Sequence, residues 1–535
     1  MKNKFMCVLL CLTLCISAAA CKSTKKDPFT EESSVTSVES EEESQTSETS
    51  ETESEASEVS GDGQSAAASS KAATTTSSKA SYGSVAPPSI DKAPKYSTIK
   101  TSIGTQMAKI DSVKGKEITL LCVDYGQFDP TGTAYKFLKD YYGITIKQTR
   151  VAGDKVISSF TTASISGKPY DLVADCDGFP SLVAQDMMAA LDNAIDFTIP
   201  EIAKLKTTYD SYTYRGQHYF LPWVQNHRAY VYYNKEIFDD ANLDIDGDGK
   251  KGDTPESLFQ SGKWTYDTLK NAATKLTKKN SQGKITLYGL MNRAWTDAQL
   301  AYSSGQPLVK ESGGKLISNL ENSGYQRIYN LMADLYNNQK VISRGNDLIY
   351  KDFNTGNGAM LIAPDFCSRG VYFKDIFKAQ NVGFVPIPKD SGADKYYVPG
   401  SSIGFFVSKG GMQKDKKLDV DCLNAFINAT LISELEKGMK GSVSYQSEKD
   451  NFLKEWAPQN KKFTEKWYDD FMAYPKTFDS KVTKYIDPYV NLLNLNEHIW
   501  EPMIGIGQVD TPKTFVEMSK QKNSIIVTAL DGLKK

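Results

Sequence analysis

Four carboxylates fall within ten residues in Asp244-Ile-Asp246-Gly-Asp248-Gly-Lys-Lys-Gly-Asp253, with glycine at the sixth position. Alternating aspartates on a glycine-rich turn offer the clustered hard oxygens that Ca²⁺ requires, and the glycines let the backbone curl tightly enough to aim them inward. The twelfth position is Pro255, with Glu256 one residue later, so Asp253 or Glu256 would have to close the shell. The same residues also suit a solvated Asp/Gly turn between two helices, and the sequence leaves both readings open. A cation here would be structural, and no other cofactor is expected. The three histidines (His218, His227, His498) form no HExxH-type pair and there is no CxxC, so zinc and histidine-based catalysis lack support. An enzyme is not expected.

Cys21 carries a different chemistry. A basic head (Lys2, Lys4), an apolar run from Phe5 to Ile16 and the small residues Ser17-Ala18-Ala19-Ala20 precede it. That is a secretory signal, too short for a stable membrane span. Ala18-Ala19-Ala20-Cys21 resembles the lipobox of bacterial lipoproteins, although alanine stands where leucine is commonest. The resemblance implies a diacylglyceryl thioether on Cys21, cleavage before it, and a mature chain tethered to the outer face of the cytoplasmic membrane. Ordinary secretion with an incidental cysteine is the alternative.

Residues 22–95 are almost wholly Ser, Thr, Glu, Ala, Gly and Lys. Asp27 to Ser60 holds 12 acidic residues and no basic one. Such a stretch cannot bury enough apolar surface to offset its ordering entropy, and like charges extend it. It is expected to be a disordered spacer, long enough for the thick wall of a Gram-positive surface. The chain carries −2 overall, so the remainder is mildly basic, with its lysines scattered and no Lys/Arg block. A nucleic-acid partner is not expected. Cys122, Cys176, Cys367 and Cys422 are isolated among apolar residues. Buried thiols fit that setting, and an extracellular chain also permits one or two disulfides.

The body runs from about residue 96. Some 440 residues exceed one core, so two lobes are expected. Glu117–Val123 is a continuous apolar run, as in a buried parallel strand. A helix over Thr131–Tyr142, a strand over Ile144–Val151, a helix over Lys155–Ser166, a strand over Tyr170–Ala174 and a helix from Pro180 to Ala190 follow. This βαβαβα order implies an α/β lobe built on a parallel sheet. Ligands of such sheets sit beyond the carboxyl ends of the strands, which places Asp124, Tyr125, Asp175 and Asp177 on one rim. Pro222 beside Trp223 marks a bend toward the second lobe. There, strands are expected at Ala229–Asn234, Ile285–Leu290, Gly358–Asp365 and Asn381–Pro388. Helices are expected from Lys235, up to Leu276, and over Ser323–Leu335. Ser402–Ser408 reads as a strand returning to the first lobe, and the chain beyond Asp419 as mainly helical.

Five ordered stretches resemble the family 1 extracellular solute-binding proteins of bacterial ABC transporters. They are the strand from Asp171, YVYYNKEIF (Tyr230–Phe238), WTYDTLKNAATKLT (Trp264–Thr277), GNGAMLIAP (Gly356–Pro364) and VGFVPIP (Val382–Pro388). The resemblance implies a two-lobe, hinged, periplasmic-binding-protein-like fold of type II. Lobe 1 would hold 96–224 and 403–485, and lobe 2 would hold 225–402 and 486–535. These follow a signal at 1–20 and a lipidated linker at 21–95. Crossings are implied near Trp223–Tyr230, Pro399–Gly404 and Tyr485. The implied function is a monomeric receptor that closes on a carbohydrate and delivers it to the permease subunits of an importer. Asp124, Tyr125, Asp175, Asp177, Trp223, Trp295, Asp365 and Ser401 are its candidate contacts, since sugars need flat aromatic faces and carboxylate or amide partners. Asp175 and Asp365 stand where maltose binders carry tryptophans. That favours hydroxyl hydrogen bonding, or a cationic ligand, over long glucan stacking. Each candidate has a plainer role: hinge packing for Trp223, a helix cap for Asp124 or Asp177. A secreted hydrolase with two carboxylates across a cleft, or a sensor or adhesin reusing the fold, are the competing functions.

Overall fold

The computed structural model describes residues 111–533, less 124–132, 153–154, 175–178, 193, 196, 198–199, 204, 228, 297–299, 314, 347, 369–375, 378–380, 438–442, 490–491, 494 and 507–510. In chain order the strands that build the body are β1 (Glu117–Val123), β2 (Thr145–Val151), β3 (Leu172–Ala174), β4 (Phe220–His227) and β5 (Ala229–Asn234). They continue with β6 (Ile285–Arg293), β7 (Ile342–Gly345), β8 (Gly358–Pro364), β9 (Val382–Pro386), β10 (Tyr396–Val407) and β11 (Val482–Tyr485). The helices that matter below are α1 (Val156–Ile165), α2 (Lys235–Ala241), α3 (Pro255–Gln260), α4 (Tyr266–Leu276), α5 (Ser323–Asn337), α6 (Val420–Lys437), α7 (Val443–Trp456), α8 (Glu465–Ala473) and α9 (Phe515–Gly532).

Two sheets result. In the first, β1 pairs in parallel with β2 and β3, and β10 closes it antiparallel to β3 and to β4, with β11 alongside the start of β10. In the second, the order is β7-β6-β8-β5-β9, with β6 parallel to β7 and β8, and β5 antiparallel to β8 and β9. The alternation of β1 explains its place. Ile118, Leu120 and Cys122 enter one core with Phe426 of α6, while Leu121 enters another with Phe160 of α1. A strand buried on both faces must be a central one.

Helix starts follow their capping chemistry. Asn234 caps α2 by accepting the N–H groups of Glu236 and Ile237, and Thr254, Thr265 and Thr514 each form a capping box. Helix α4 lies close on β6. A Cβ on Gly289 would fall 1.8 Å from the Ala273 carbonyl oxygen, so only glycine fits there.

Three expectations need correction. The helix expected over Pro180–Ala190 is one turn, Ser181–Ala184, because Met188 is drawn into a bridge with Ser408. Pro222 does not turn the chain out of the first lobe, since β4 runs through it and the change of sheet comes between His227 and Ala229. Residues 403–485 do not all join lobe 1. Phe471 of α8 packs on Phe384 of β9, and Phe478 on Tyr230 and Phe259, so this part covers the second sheet. Those aromatics bury their faces against β9, and nothing in their local spacing says which sheet will receive them.

Cys122, Cys367 and Cys422 are buried thiols, and Cys176 lies outside the described residues. Among the described residues no helix is long and apolar enough to cross a membrane.

Candidate ligand cleft and the hinge behind it

The carboxyl ends of the parallel strands define one edge of each sheet. In the first, Cys122 pairs with Arg150 and Ala174, so β1, β2 and β3 end level. Asp124 and Tyr125 follow β1 directly, and Asp175 and Asp177 follow β3, but all four lie outside the described residues. In the second, Asn292 lies level with Arg344 and Ile362, so β6, β7 and β8 also end together. Trp295 sits in a single 3₁₀ turn, Ala294–Thr296, immediately after β6. Thr296 locks that turn by donating from its buried hydroxyl to the Arg293 carbonyl at 2.7 Å, with the Asn292 side chain at 2.9 Å. Asp365 is half-buried and opens the turn after β8, where Tyr232 fixes the strand end through a 3.0 Å bond to the Pro364 carbonyl. Thus Trp295 and Asp365 follow neighbouring strands, while the Trp295 side chain is outside the described part.

The remaining two candidates belong to the hinge. Ser401 pairs with Asn226 in the β4–β10 ladder. Register shifts in that ladder: Ile403 faces Val224, and Gly404 faces Pro222. Trp223 is therefore the unpaired residue of a bulge, a device that twists a strand and re-aims what it carries. Gly404 permits the close approach, because a Cβ there would lie 2.3 Å from the Leu221 carbonyl oxygen. The third crossing follows β11, whose Tyr485 pairs with Pro399. Three connections therefore join the two sheets, the arrangement that a hinge between two lobes requires.

A group the sequence reading passed over stands at that third crossing. Asp487 is buried and accepts the N–H of Leu308 at 2.6 Å and of Tyr489 at 2.8 Å. Burial pushes its carboxyl up to about 6, against the pull of the two N–H donors. Between the ordinary carboxylate range and 6 the folded chain keeps a proton that the unfolded chain has lost. Its contribution to stability is therefore present at low pH and is lost as pH rises through about 6. Asp487→Asn is expected to flatten the melting temperature over that window. An unchanged slope in the variant would assign the titration to another group.

The aspartate loop folds on its own backbone. Asp244 accepts the N–H of Gly247 at 2.8 Å and of Gly249 at 3.0 Å, and Asp253 accepts that of Ile245 at 2.7 Å. Oxygens of Asp244, Asp246 and Asp253 come within 4.8 Å of one another, which fits a small hard cation. Asp248, expected as a ligand, is not in that group. It meets Lys263 at 3.2 Å and Lys250 at 3.3 Å. The Lys250 N–H and the Lys263 ammonium hold its carboxyl down to about 2. Lys263 also reaches Asp246 at 2.6 Å, so its ammonium and a bound cation would compete for the Asp246 carboxylate.

Comparison with known proteins fits this architecture. No curated relative matches the sequence. Among solved structures, the galacto-N-biose-/lacto-N-biose I-binding protein of an ABC transporter from Bifidobacterium longum, in complex with lacto-N-biose, is 14% identical. It superposes with a TM-score of 0.50 over 78% of this chain and 98% of its own. The maltose/maltodextrin-binding domain MalE from Bdellovibrio bacteriovorus, bound to maltotriose, is 18% identical with a TM-score of 0.49 over 78% and 100%. At 14% identity the likeness to the Bifidobacterium longum protein speaks for the fold alone. The sequence model of the bacterial extracellular solute-binding proteins matches residues 127–428, more than half of the chain. By that match and this hinged two-sheet body, the chain belongs to the bacterial extracellular solute-binding protein family.

Proposed function

We propose that the protein is a lipid-anchored receptor that captures a carbohydrate between its lobes and hands it to the permease of an ABC importer. The observation that carries this reading is the alignment of strand ends on both sheets behind strands able to act as a hinge. Affinity in such a receptor includes the equilibrium between open and closed forms. The aromatic and carboxylate candidates at those ends suit sugar faces and hydroxyls.

The test is a thermal-shift and calorimetry screen of the mature chain against mono- and oligosaccharides. A binder raises the melting temperature because it favours the folded state. Trp295→Ala or Trp223→Ala is expected to weaken that binder by about 0.5–1.5 kcal/mol if the ring stacks on it. Unchanged affinity in both variants would move the stacking platform elsewhere. A screen in which no sugar binds would remove the carbohydrate.

The Asp244–Asp253 loop takes a structural calcium in this proposal. Chelator is then expected to lower the melting temperature while leaving ligand affinity unchanged, and Asp246→Ala with Asp248→Ala to abolish the chelator effect. Identical melting curves in excess calcium and excess chelator would leave the loop a polar turn closed by Lys263.

A further inference from the structure

Helix α9 ends in a grip from the other lobe. Leu533 closes α9, its N–H donating back to the Ala529 and Leu530 carbonyls. Its own carbonyl is one of those that a helix end leaves without an intrahelical partner. The Tyr214 hydroxyl donates to that carbonyl, and so does the Arg215 guanidinium, at 3.0 Å and from 318 residues away in the chain. The guanidinium also lies 5.2 Å from the centre of the Tyr214 ring, so the two side chains hold each other in place. A cation suits this position, because a helix C-terminus carries the negative end of its dipole.

The partners belong to different lobes. Tyr214 and Arg215 sit on a hairpin, residues 213–218, that is tied to the first sheet. The Leu191 N–H donates to the His218 carbonyl at 2.8 Å, and Tyr212 packs at 4.3 Å on Phe220 of β4. Helix α9 rides on the second lobe instead. Phe515 packs at 5.9 Å on Tyr329 of α5, and the Val341 N–H, donating to the Leu335 carbonyl, leads from α5 into β7. The hairpin tip is also unusual in its chemistry. Arg215 has φ 52° and Gly216 φ 77°, a pair of left-handed positions where asparagine, aspartate or glycine is customary. Arginine stands there against that preference, and its side chain is what reaches Leu533.

Topology says on which side of the hinge the grip lies. Phe406 of β10 pairs with Val173 of β3 and with Phe220 of β4, so β10 separates β4 from β3, β1 and β2. The ligand edge is formed by the ends of β1, β2 and β3, and the hairpin feeds β4 on the opposite side. Lobes that swing together over the ligand edge swing apart behind it.

Resting on the hinged two-lobe reading above, we infer that Tyr214 and Arg215 form a latch that holds the lobes open and that closure must break. The test is single-molecule fluorescence transfer on the mature chain, with one dye in each lobe and no sugar present. Calorimetry with gluco-, galacto-, manno- and xylo-oligosaccharides accompanies it. Tyr214→Phe removes only the hydroxyl. Arg215→Gly removes the guanidinium and suits the left-handed tip, so the hairpin keeps its fold. Each is expected to raise the closed-to-open ratio about fivefold, because a hydrogen bond no longer opposes closure. The tightest of these sugars is expected to bind more tightly by the same factor. Lys206→Ala, which removes an ion pair within the first lobe, is the control and should change neither quantity. A closed fraction that stays at the wild-type value in both variants, or falls in either, overturns the latch and leaves the hinged receptor standing. If no sugar of the panel binds, the fluorescence result decides alone. A wild-type chain with one fixed lobe separation under every condition overturns the latch together with the hinge on which it rests.

Discussion

Cys21→Ser is expected to move nearly all of the protein from the membrane fraction to the medium. The motive is Ala18-Ala19-Ala20-Cys21 after an apolar signal, followed by a spacer with 12 acidic residues between Asp27 and Ser60. A diacylglyceryl group buries two chains, at about 0.8 kcal/mol per methylene, which is enough for stable attachment where a single chain is marginal. Among the described residues no helix is long and apolar enough to cross a bilayer. The body is expected to remain folded, because Cys21 is followed by a Ser/Thr/Glu-rich stretch that cannot bury enough apolar surface to form a core. The measurement is fractionation with immunoblotting, alongside a melting curve of the released chain. Retention of the variant in the membrane fraction would refute the anchor. Release with a collapsed melting curve would mean that the leader also serves the fold.

Trp264→Ala is expected to cost about 3–5 kcal/mol of folding stability, the range for deleting a large buried aromatic. Trp264 is fully buried in the second core. Its indole N–H donates to the Pro386 carbonyl at 3.0 Å, and its backbone N–H to the Tyr396 hydroxyl at 3.0 Å. It thus clamps the end of β9 and the start of β10, the strand that carries the chain back through the hinge. The loss has two parts, a cavity and an orphaned carbonyl. Trp264→Phe separates them, filling most of the volume while leaving Pro386 without its donor, at about 1–3 kcal/mol. Urea unfolding of the three proteins at one pH reads both steps. A loss below 1 kcal/mol in the alanine variant would show that the neighbouring rings collapse into the space.

Local structure was legible because it is set by short-range physics. The apolar run Glu117–Val123, the aromatic strand Ala229–Asn234 and the helix after Trp264 fall where period and capping place them. The five ordered stretches pointed to the family that the match over 127–428 shows. Of the candidate site, Asp365 and Trp295 follow the ends of neighbouring strands, a position that strand boundaries in the sequence made legible.

The sequence by itself determined the elements, their order and the chemistry at their ends, because propensity, periodicity and capping act over a few residues. Only the tertiary structure decided which sheet each element joins, because pairing partners lie far apart in the chain and local spacing does not name them. Residues 465–478 covered the second sheet for that reason, through Phe471 and Phe478. Register made Trp223 a bulge, since the shift between Ile403 and Gly404 depends on both strands at once. Packing made Asp487 a buried carboxyl, where its sequence context, Ile-Asp-Pro-Tyr, reads as an ordinary turn.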